Sequence, residues 1–172
     1  MSMSETPSPG LWRRFTAAYA ALLSHLLVVA VAILIIPVTL QIVSRHTELI
    51  PSYIWTEEMA RFLFIWTIII GAMIGVREST HFEVDLLPRL GARGEALARL
   101  CGRIGILALS LVFVWAGIQF TRFGWYRISE LAELPLWTIH IAWPLMGLTW
   151  LVFLGELFVD DLKIILGKDV QS

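Results

Sequence analysis

The chain has 172 residues, 58% of them hydrophobic and 16% charged, and a mean hydropathy of +0.76. A soluble domain carries about 25% charged residues, and the apolar excess here falls into four long blocks, so the composition excludes an ordinary soluble globule. The formal net charge of −1 gives no basis for nucleic-acid binding, and the single cysteine, Cys101, excludes an intrachain disulfide and a cysteine-built metal cluster.

Residues 1–14 are polar and proline-containing up to Trp12-Arg13-Arg14, and are expected to form a disordered cytoplasmic N-terminus. From Phe15 to Ser44 come thirty residues without a charge. The apolar part of a secretory signal is only about 7–15 residues long, so this run is expected to be an uncleaved first membrane helix, near residues 18–43. The second uncharged run, Phe62–Val76, has only fifteen residues and marks a span near 59–76. The third and fourth runs, Ile104–Thr121 and Leu134–Gly155, have eighteen and twenty-two residues and mark spans near 104–121 and 136–156. Crossing ~30 Å of hydrocarbon takes about 20 helical residues. Backbone groups in lipid must bond to one another, and no run alternates as a barrel strand would. The reading is therefore an all-α integral membrane protein, with a four-helix membrane domain over residues 15–160 and a cytoplasmic tail over 161–172. Pro37 and Pro144 fall inside spans one and four, where proline is tolerated with a kink.

Lysine and arginine set the orientation. With the N-terminus inside, nine of them (Arg13, Arg14, Arg77, Arg89, Arg93, Arg99, Arg103, Lys163 and Lys168) fall on the cytoplasmic side and four (Arg45, Arg61, Arg122 and Arg127) outside. Both termini are thus expected in the cytoplasm. Trp55, Trp66, Trp125, Trp137 and Trp143 gather toward the outer half, where amphipathic rings settle.

Between spans two and three, a helical rotation of ~100° per residue puts Arg89, Arg93, Arg99 and Arg103 on one arc, beside Leu86, Leu90 and Leu97. This pattern predicts a short amphipathic helix over Asp85–Arg103, lying on the inner membrane surface with its basic face toward lipid headgroups. Each arginine there would add about 1 kcal/mol. The plainer alternative is a polar loop made basic by the orientation rule, and Gly91 and Gly94 weaken the helix.

The short second span is tightly bracketed by ionisable groups. Glu57 and Glu58 lie four and three residues before Arg61, which places both carboxylates on the face of the guanidinium. Such a pairing would let a short helix insert without an unpaired charge at depth. Two carboxylates at a membrane surface can also coordinate a proton or cation, but that path needs acids near the midplane, and the cores of the spans hold none. A carrier places its site near the midplane, so the chain is not expected to transport anything alone. Gly71-x-x-x-Gly75 with Ala72 offers a small-residue face for close packing against span one or a partner; glycine is also simply frequent in membrane helices. Behind the span, Arg77, His81 and Asp85 follow at spacings of four, either as one polar stripe or as a solvated connector.

The run Trp55-x-Glu57-Glu58-x-x-Arg61, then Trp66, Gly71-Ala72, Arg77 and His81-Phe82-x-Val84-Asp85, resembles the signature region of the small membrane subunit of tripartite ATP-independent periplasmic (TRAP) transporters. Pro135-Leu136-Trp137 and Trp143-Pro144-Leu145-Met146-Gly147 are similar to that family's approach to its fourth span. The resemblance implies a non-enzymatic scaffold in the bacterial inner membrane. It implies pairing with a large permease subunit, delivery of an organic acid by a periplasmic binding protein, and sodium-driven uptake through sites in the large subunit. Trp55, Glu57, Glu58, Arg61, Arg77, His81 and Asp85 would then stabilise the subunit, its lipid contacts and its seam with the partner. No cofactor, metal or substrate residue is expected in this chain. The rival reading is a haem-binding membrane anchor of a respiratory enzyme, whose axial ligands would be His25 in span one and His140 in span four.

Overall fold

The computed structural model describes residues 10–47, 51, 53–78 and 92–165, with side chains for all of these except 92–100 and 159–165. Among the described residues five helices follow in order: α1 Leu11–His46, α2 Trp55–Glu78, α3 Ala92–Gly124, α4 Trp137–His140 and α5 Ala142–Ile165. Among the described residues the only extended pairing is an isolated antiparallel bridge between Ile128 and Pro135. Four segments are long and apolar enough to cross a membrane: Leu11–His46, Trp55–Glu78, Cys101–Gly124 and Trp137–Phe158. The all-helical, four-span architecture is the one the uncharged runs predict.

The fourth span is built from α4 and α5, and Pro144 accounts for the division. Proline has no N–H, so the carbonyl of His140 receives no bond from four residues on, and the ring crowds that carbonyl. The chain nevertheless stays helical in direction. Ile141 bonds back to Trp137 (2.9 Å) and Leu145 to Ile141 (3.2 Å). Pro37, by contrast, leaves α1 unbroken over its 36 residues.

Among the described residues no separate surface helix stands between spans two and three, and residues 79–91 of that connection lie outside them. Residues 92–103 are the first turns of α3 and continue straight into the third span. Asp85, Arg89 and His81 lie outside the described residues, and for Arg93 and Arg99 only the helical backbone is described. Arg103 is half-buried, and its Nη1 donates to the Leu157 carbonyl of α5 at 3.3 Å. It therefore joins two helices, where the basic-face reading would have turned it toward headgroups.

Packing is centred on α5. α1 lies along α2, α3 lies along α5, and α2 and α5 join the two pairs, while α1 meets α5 only lightly. The core follows this arrangement. Ile69, Ile70, Met73 and Ile74 of α2 meet Ala142, Met146, Trp150 and Phe153 of α5, with Ala20 and Leu23 of α1 alongside. Burial grades accordingly: 44% of the apolar window of the fourth span is buried within the chain, against 6% for α1.

The α3–α5 seam depends on glycine. A Cβ at Gly117 would come within 2.6 Å of the Pro144 backbone nitrogen, and one at Gly147 within 2.7 Å of the Ser110 carbonyl oxygen. Small residues let membrane helices approach closely, where packing drives their association. The Gly71–Gly75 pair behaves differently: a Cβ at either position meets nothing within 4 Å, so this face is not packed against span one. We expect Gly117→Ala and Gly147→Ala to destabilise the purified chain by about 1–3 kcal/mol, the usual cost of overpacking. Gly71→Ala and Gly75→Ala should leave its melting temperature unchanged or raise it, because alanine favours helix by up to about 1 kcal/mol. Thermal melting followed by circular dichroism in detergent separates the two pairs; equal losses at all four positions would contradict this packing.

Candidate functional site

The first turn of α2 sends its two carboxylates in different directions. Glu57 pairs with Arg61 across one turn, Oε1 to Nη2 at 3.3 Å, with side chains 68% and 61% exposed. Exposed pairs of this spacing contribute about 0.3–0.5 kcal/mol. Glu58 does not share that pairing. One position further round the helix, it faces the 125–136 connection between α3 and α4. There its Oε2 accepts three hydrogen bonds: from the Ser129 hydroxyl (2.8 Å), the Leu131 N–H (2.9 Å) and the Ala132 N–H (2.6 Å).

The connection is shaped to make this possible. Ser129 and Leu134 are joined twice, Ser129 N–H to the Leu134 carbonyl (2.8 Å) and Leu134 N–H to the Ser129 hydroxyl oxygen (3.2 Å). Leu136 N–H donates to the Arg127 carbonyl at 2.9 Å. The tip between these bonds turns through Glu133, whose φ of 53° lies in the left-handed region that non-glycine residues rarely occupy. Such a conformation persists only where the surroundings over-determine it, and the ring of bonds around Ser129 does that. Nearly successive N–H groups aimed at one point form a concavity that suits an anion. Here the anion is a side chain of the same chain.

Flanking contacts extend the clasp. Arg127 lies over the Phe123 ring at 4.0 Å, and Trp125 packs on Trp137 with ring centroids 5.5 Å apart. Trp55 is exposed beside Tyr53, 6.3 Å between centroids. Deeper in the bundle, polar side chains link helices. Trp66 Nε1 donates to the Thr138 carbonyl (3.2 Å), Trp150 Nε1 to the Ala72 carbonyl (3.0 Å), and the Tyr19 and Thr149 hydroxyls lie 2.8 Å apart. Phe113 packs between Trp143 and Trp150, at 5.6 and 5.5 Å. At the other end of α2, Arg77 lies over Phe153 at 5.8 Å.

The structure thus brings Glu57 and Arg61 together, gives Glu58 a partner some seventy residues away, and leaves Gly71 and Gly75 uncovered by the chain itself. Any stripe from Arg77 to His81 and Asp85 lies outside the described residues. Ser129, Leu131 and Ala132 were not singled out from sequence. The signal available was a polar stretch, Arg127-Ile-Ser-Glu-Leu-Ala-Glu-Leu-Pro135, too uncharacteristic to point to Glu58. Gly117 and Gly124, seven residues apart on one face of α3, were a readable hint of the close approach to Pro144 and His140. The two histidines of the haem reading are not brought together. His25 is exposed on α1, its ring nitrogen bonded to the Ala21 carbonyl at 2.7 Å. His140 is buried against Gly124 and stacked on Phe120 with centroids 3.7 Å apart. α1 and α4 do not touch.

A four-span helical bundle whose polar groups join helix to helix defines a multi-pass membrane protein. Comparison with known proteins places it more narrowly. Residues 34–164 match the family described as tripartite ATP-independent periplasmic transporters, DctQ component, and the chain belongs to that family. It is 29% identical over 105 residues to the C4-dicarboxylate TRAP transporter small permease protein DctQ of Rhodobacter capsulatus, a match covering 59% of this chain and 46% of that protein. It is 24% identical over 94 residues to the isethionate TRAP transporter permease protein DctMQ of Oleidesulfovibrio alaskensis, covering 53% of this chain and 15% of that one. The chain therefore spans less than half the length of either relative.

The clasp makes a specific demand on Glu58. Glu58→Ala should lower the melting temperature and speed amide exchange at Leu131 and Ala132, whereas Glu57→Ala should alter neither measurably. Hydrogen–deuterium exchange of the two variants in detergent tests this, and equal protection in both would remove the clasp from the account.

Proposed function

We propose that this chain is the small scaffold subunit of a sodium-coupled TRAP transporter of the bacterial inner membrane. It pairs with a large permease subunit for symport of an organic acid that a periplasmic binding protein delivers. One observation carries the reading above all. The charge-free core of each span contains no Asp, Glu, Lys or Arg, and the Tyr19, Trp66, Thr67, Ser110, Thr121 and Trp150 side chains there bond to neighbouring helices or to their own backbone, while Gln41 Nε2 and His140 Nδ1 are buried without a hydrogen-bond partner. The bonded groups hold helices together and offer a solute no site of its own.

Family membership supports the partners. The DctMQ relative is a permease of which this chain resembles only 15%, and a separate large subunit would supply the remainder here. The uncovered Gly71–Gly75 face and the exposed apolar length of α1 are surfaces such a partner could meet. The names of the two relatives carry isethionate and C4-dicarboxylate, both organic acids, which supports that class of cargo. Trp55, Glu57, Glu58, Arg61, Arg77, His81 and Asp85 are assigned to subunit integrity, lipid contact and the seam. Both termini are assigned to the cytoplasm from the distribution of lysine and arginine.

Three measurements test this reading. In proteoliposomes, a sodium gradient should drive organic-acid accumulation only when the large permease and the binding protein accompany this chain. Calorimetry on this chain alone should give no heat of binding, and saturable binding would overturn the scaffold role. With Cys101 replaced, Ser2→Cys and Ser172→Cys should each resist a membrane-impermeant maleimide added outside; labelling of either would reverse the orientation.

A further inference from the structure

At the end of the bundle nearest the two termini, α1, α2 and α5 diverge around a cavity of about 560 Å³. That volume falls within the ~300–1,000 Å³ typical of small-molecule sites. The opening has a sequence cause. Arg13, Ala17, Ala20, Ala21 and Ser24 recur at helical spacing on one face of α1, and the small side chains of the last four leave a groove where α1 passes α5. The wall is strongly amphipathic. Arg13, Arg77, Glu78 and Glu156 form one end, and the alanines with Ile74, Phe153 and Leu157 form the rest.

The charged end sits at a defined depth. Arg13 stands just before the charge-free run Phe15–Ser44, Arg77 directly after Phe62–Val76, and Glu156 directly after Leu134–Gly155. α2 and α5 therefore place their first charge, and α1 the second of its arginine pair, at the boundary between hydrocarbon and water. The alanine groove runs from that boundary into hydrocarbon depth. A ligand that fills the whole cavity needs a polar head at the boundary and an apolar chain below it.

We propose that this cavity binds one phospholipid with a primary-amine zwitterionic headgroup, a phosphoethanolamine lipid, with one acyl chain along Ala17–Ser24. Guanidinium groups match phosphate geometry with paired N–H donors, which suits Arg13 and Arg77 to the phosphate. Glu156 and Glu78 suit the ammonium, which offers three donors. Arg13 and Glu156 form an ion pair, Nε to Oε1 at 4.0 Å, and the Glu156 side chain is only 15% exposed. The two carboxylates disfavour a purely anionic headgroup, and a quaternary choline has no N–H to give them. This proposal does not depend on the transport role.

Native mass spectrometry of the full chain, delipidated in detergent and offered equal phosphatidylethanolamine, phosphatidylcholine and phosphatidylglycerol, tests it. The ethanolamine lipid should be retained several-fold over the other two. Arg77→Gln or Arg13→Gln should reduce that adduct at least five-fold, and Ala17→Leu should block it by filling the groove. Glu156→Gln should retain phospholipid but lose the preference for ethanolamine over choline. Millimolar glycerophosphoethanolamine or inorganic phosphate should not displace the lipid. Helical circular dichroism and gel filtration check each variant, and any one folded member of Arg13→Gln, Arg77→Gln and Ala17→Leu is enough to decide. Equal retention of the three lipids, an unchanged adduct in a folded variant, displacement by the soluble headgroup, or a partner complex purified without the lipid would each overturn the proposal.

Discussion

The bilayer interior offers a hydrogen-bonding group no water to fall back on, and the whole arrangement follows from that constraint. Backbone groups close on themselves in helices. Side-chain donors then seek the few carbonyls and hydroxyls that a neighbouring helix presents. Trp150 reaches the Ala72 carbonyl and Tyr19 meets Thr149, so α5 is bonded to both α2 and α1. Interhelical bonds in membranes average only about 0.6 kcal/mol, so they cannot hold the bundle by strength. They act by direction: each is made in one register and not in the next, while close packing at Gly117 and Gly147 supplies the rest of the association.

The same constraint explains the charges around α2. Its uncharged run of fifteen residues gives about 22 Å of helix, shorter than the hydrocarbon layer, so its flanking charges are drawn toward the boundary. Each end meets the problem differently. At the Trp55 end, Glu57 neutralises Arg61 locally, and Glu58 is received by the Ser129–Ala132 segment. At the Glu78 end, Arg77 leans over Phe153, where a ring face accommodates a cation. The Trp55 end is thereby tied to the α3–α4 connection, and the short helix gains a fixed reference point in the chain.

Much of this was legible in the sequence, and the boundary between what was and was not is physical. Charge-free length is a local property that hydrocarbon thickness selects directly, so four helical spans could be read from four runs. The Glu57–Arg61 pair is local as well, four residues apart on one face. Glu58 obeys the same spacing rule, yet the structure gives it to Ser129, because three aligned donors outcompete a guanidinium that already has a carboxylate. Spacing ranks near neighbours and is blind to a partner some seventy residues away. The glycines make the same point: Gly71-x-x-x-Gly75 fits a packing motif and meets nothing in this chain, whereas Gly117 and Gly147 fit no such spacing and carry the α3–α5 seam. A small residue permits close approach, but only the facing helix decides whether approach occurs. Of the amphipathic arc of Arg89, Arg93, Arg99 and Arg103, the last three positions are helical but belong to α3 and not to a separate helix.

The bundle is also uneven in a way that bears on assembly. The span containing α5 is the most buried of the four, while α1 turns most of its apolar length outward, with Val28, Ile35 and Ile36 more than half exposed. Lipid covers such a surface at no hydrophobic cost, so exposure alone does not call for a partner. What distinguishes a scaffold from a loose helix is that its outward surfaces are held in fixed relation. Here the α1–α2 pair is joined to α5 by Tyr19 and Trp150, and to α4 by Trp66, through bonds that hydrocarbon makes hard to replace. The rigidity therefore lies between the helices, and the variable contacts with lipid or protein are left to the faces that nothing in the chain occupies.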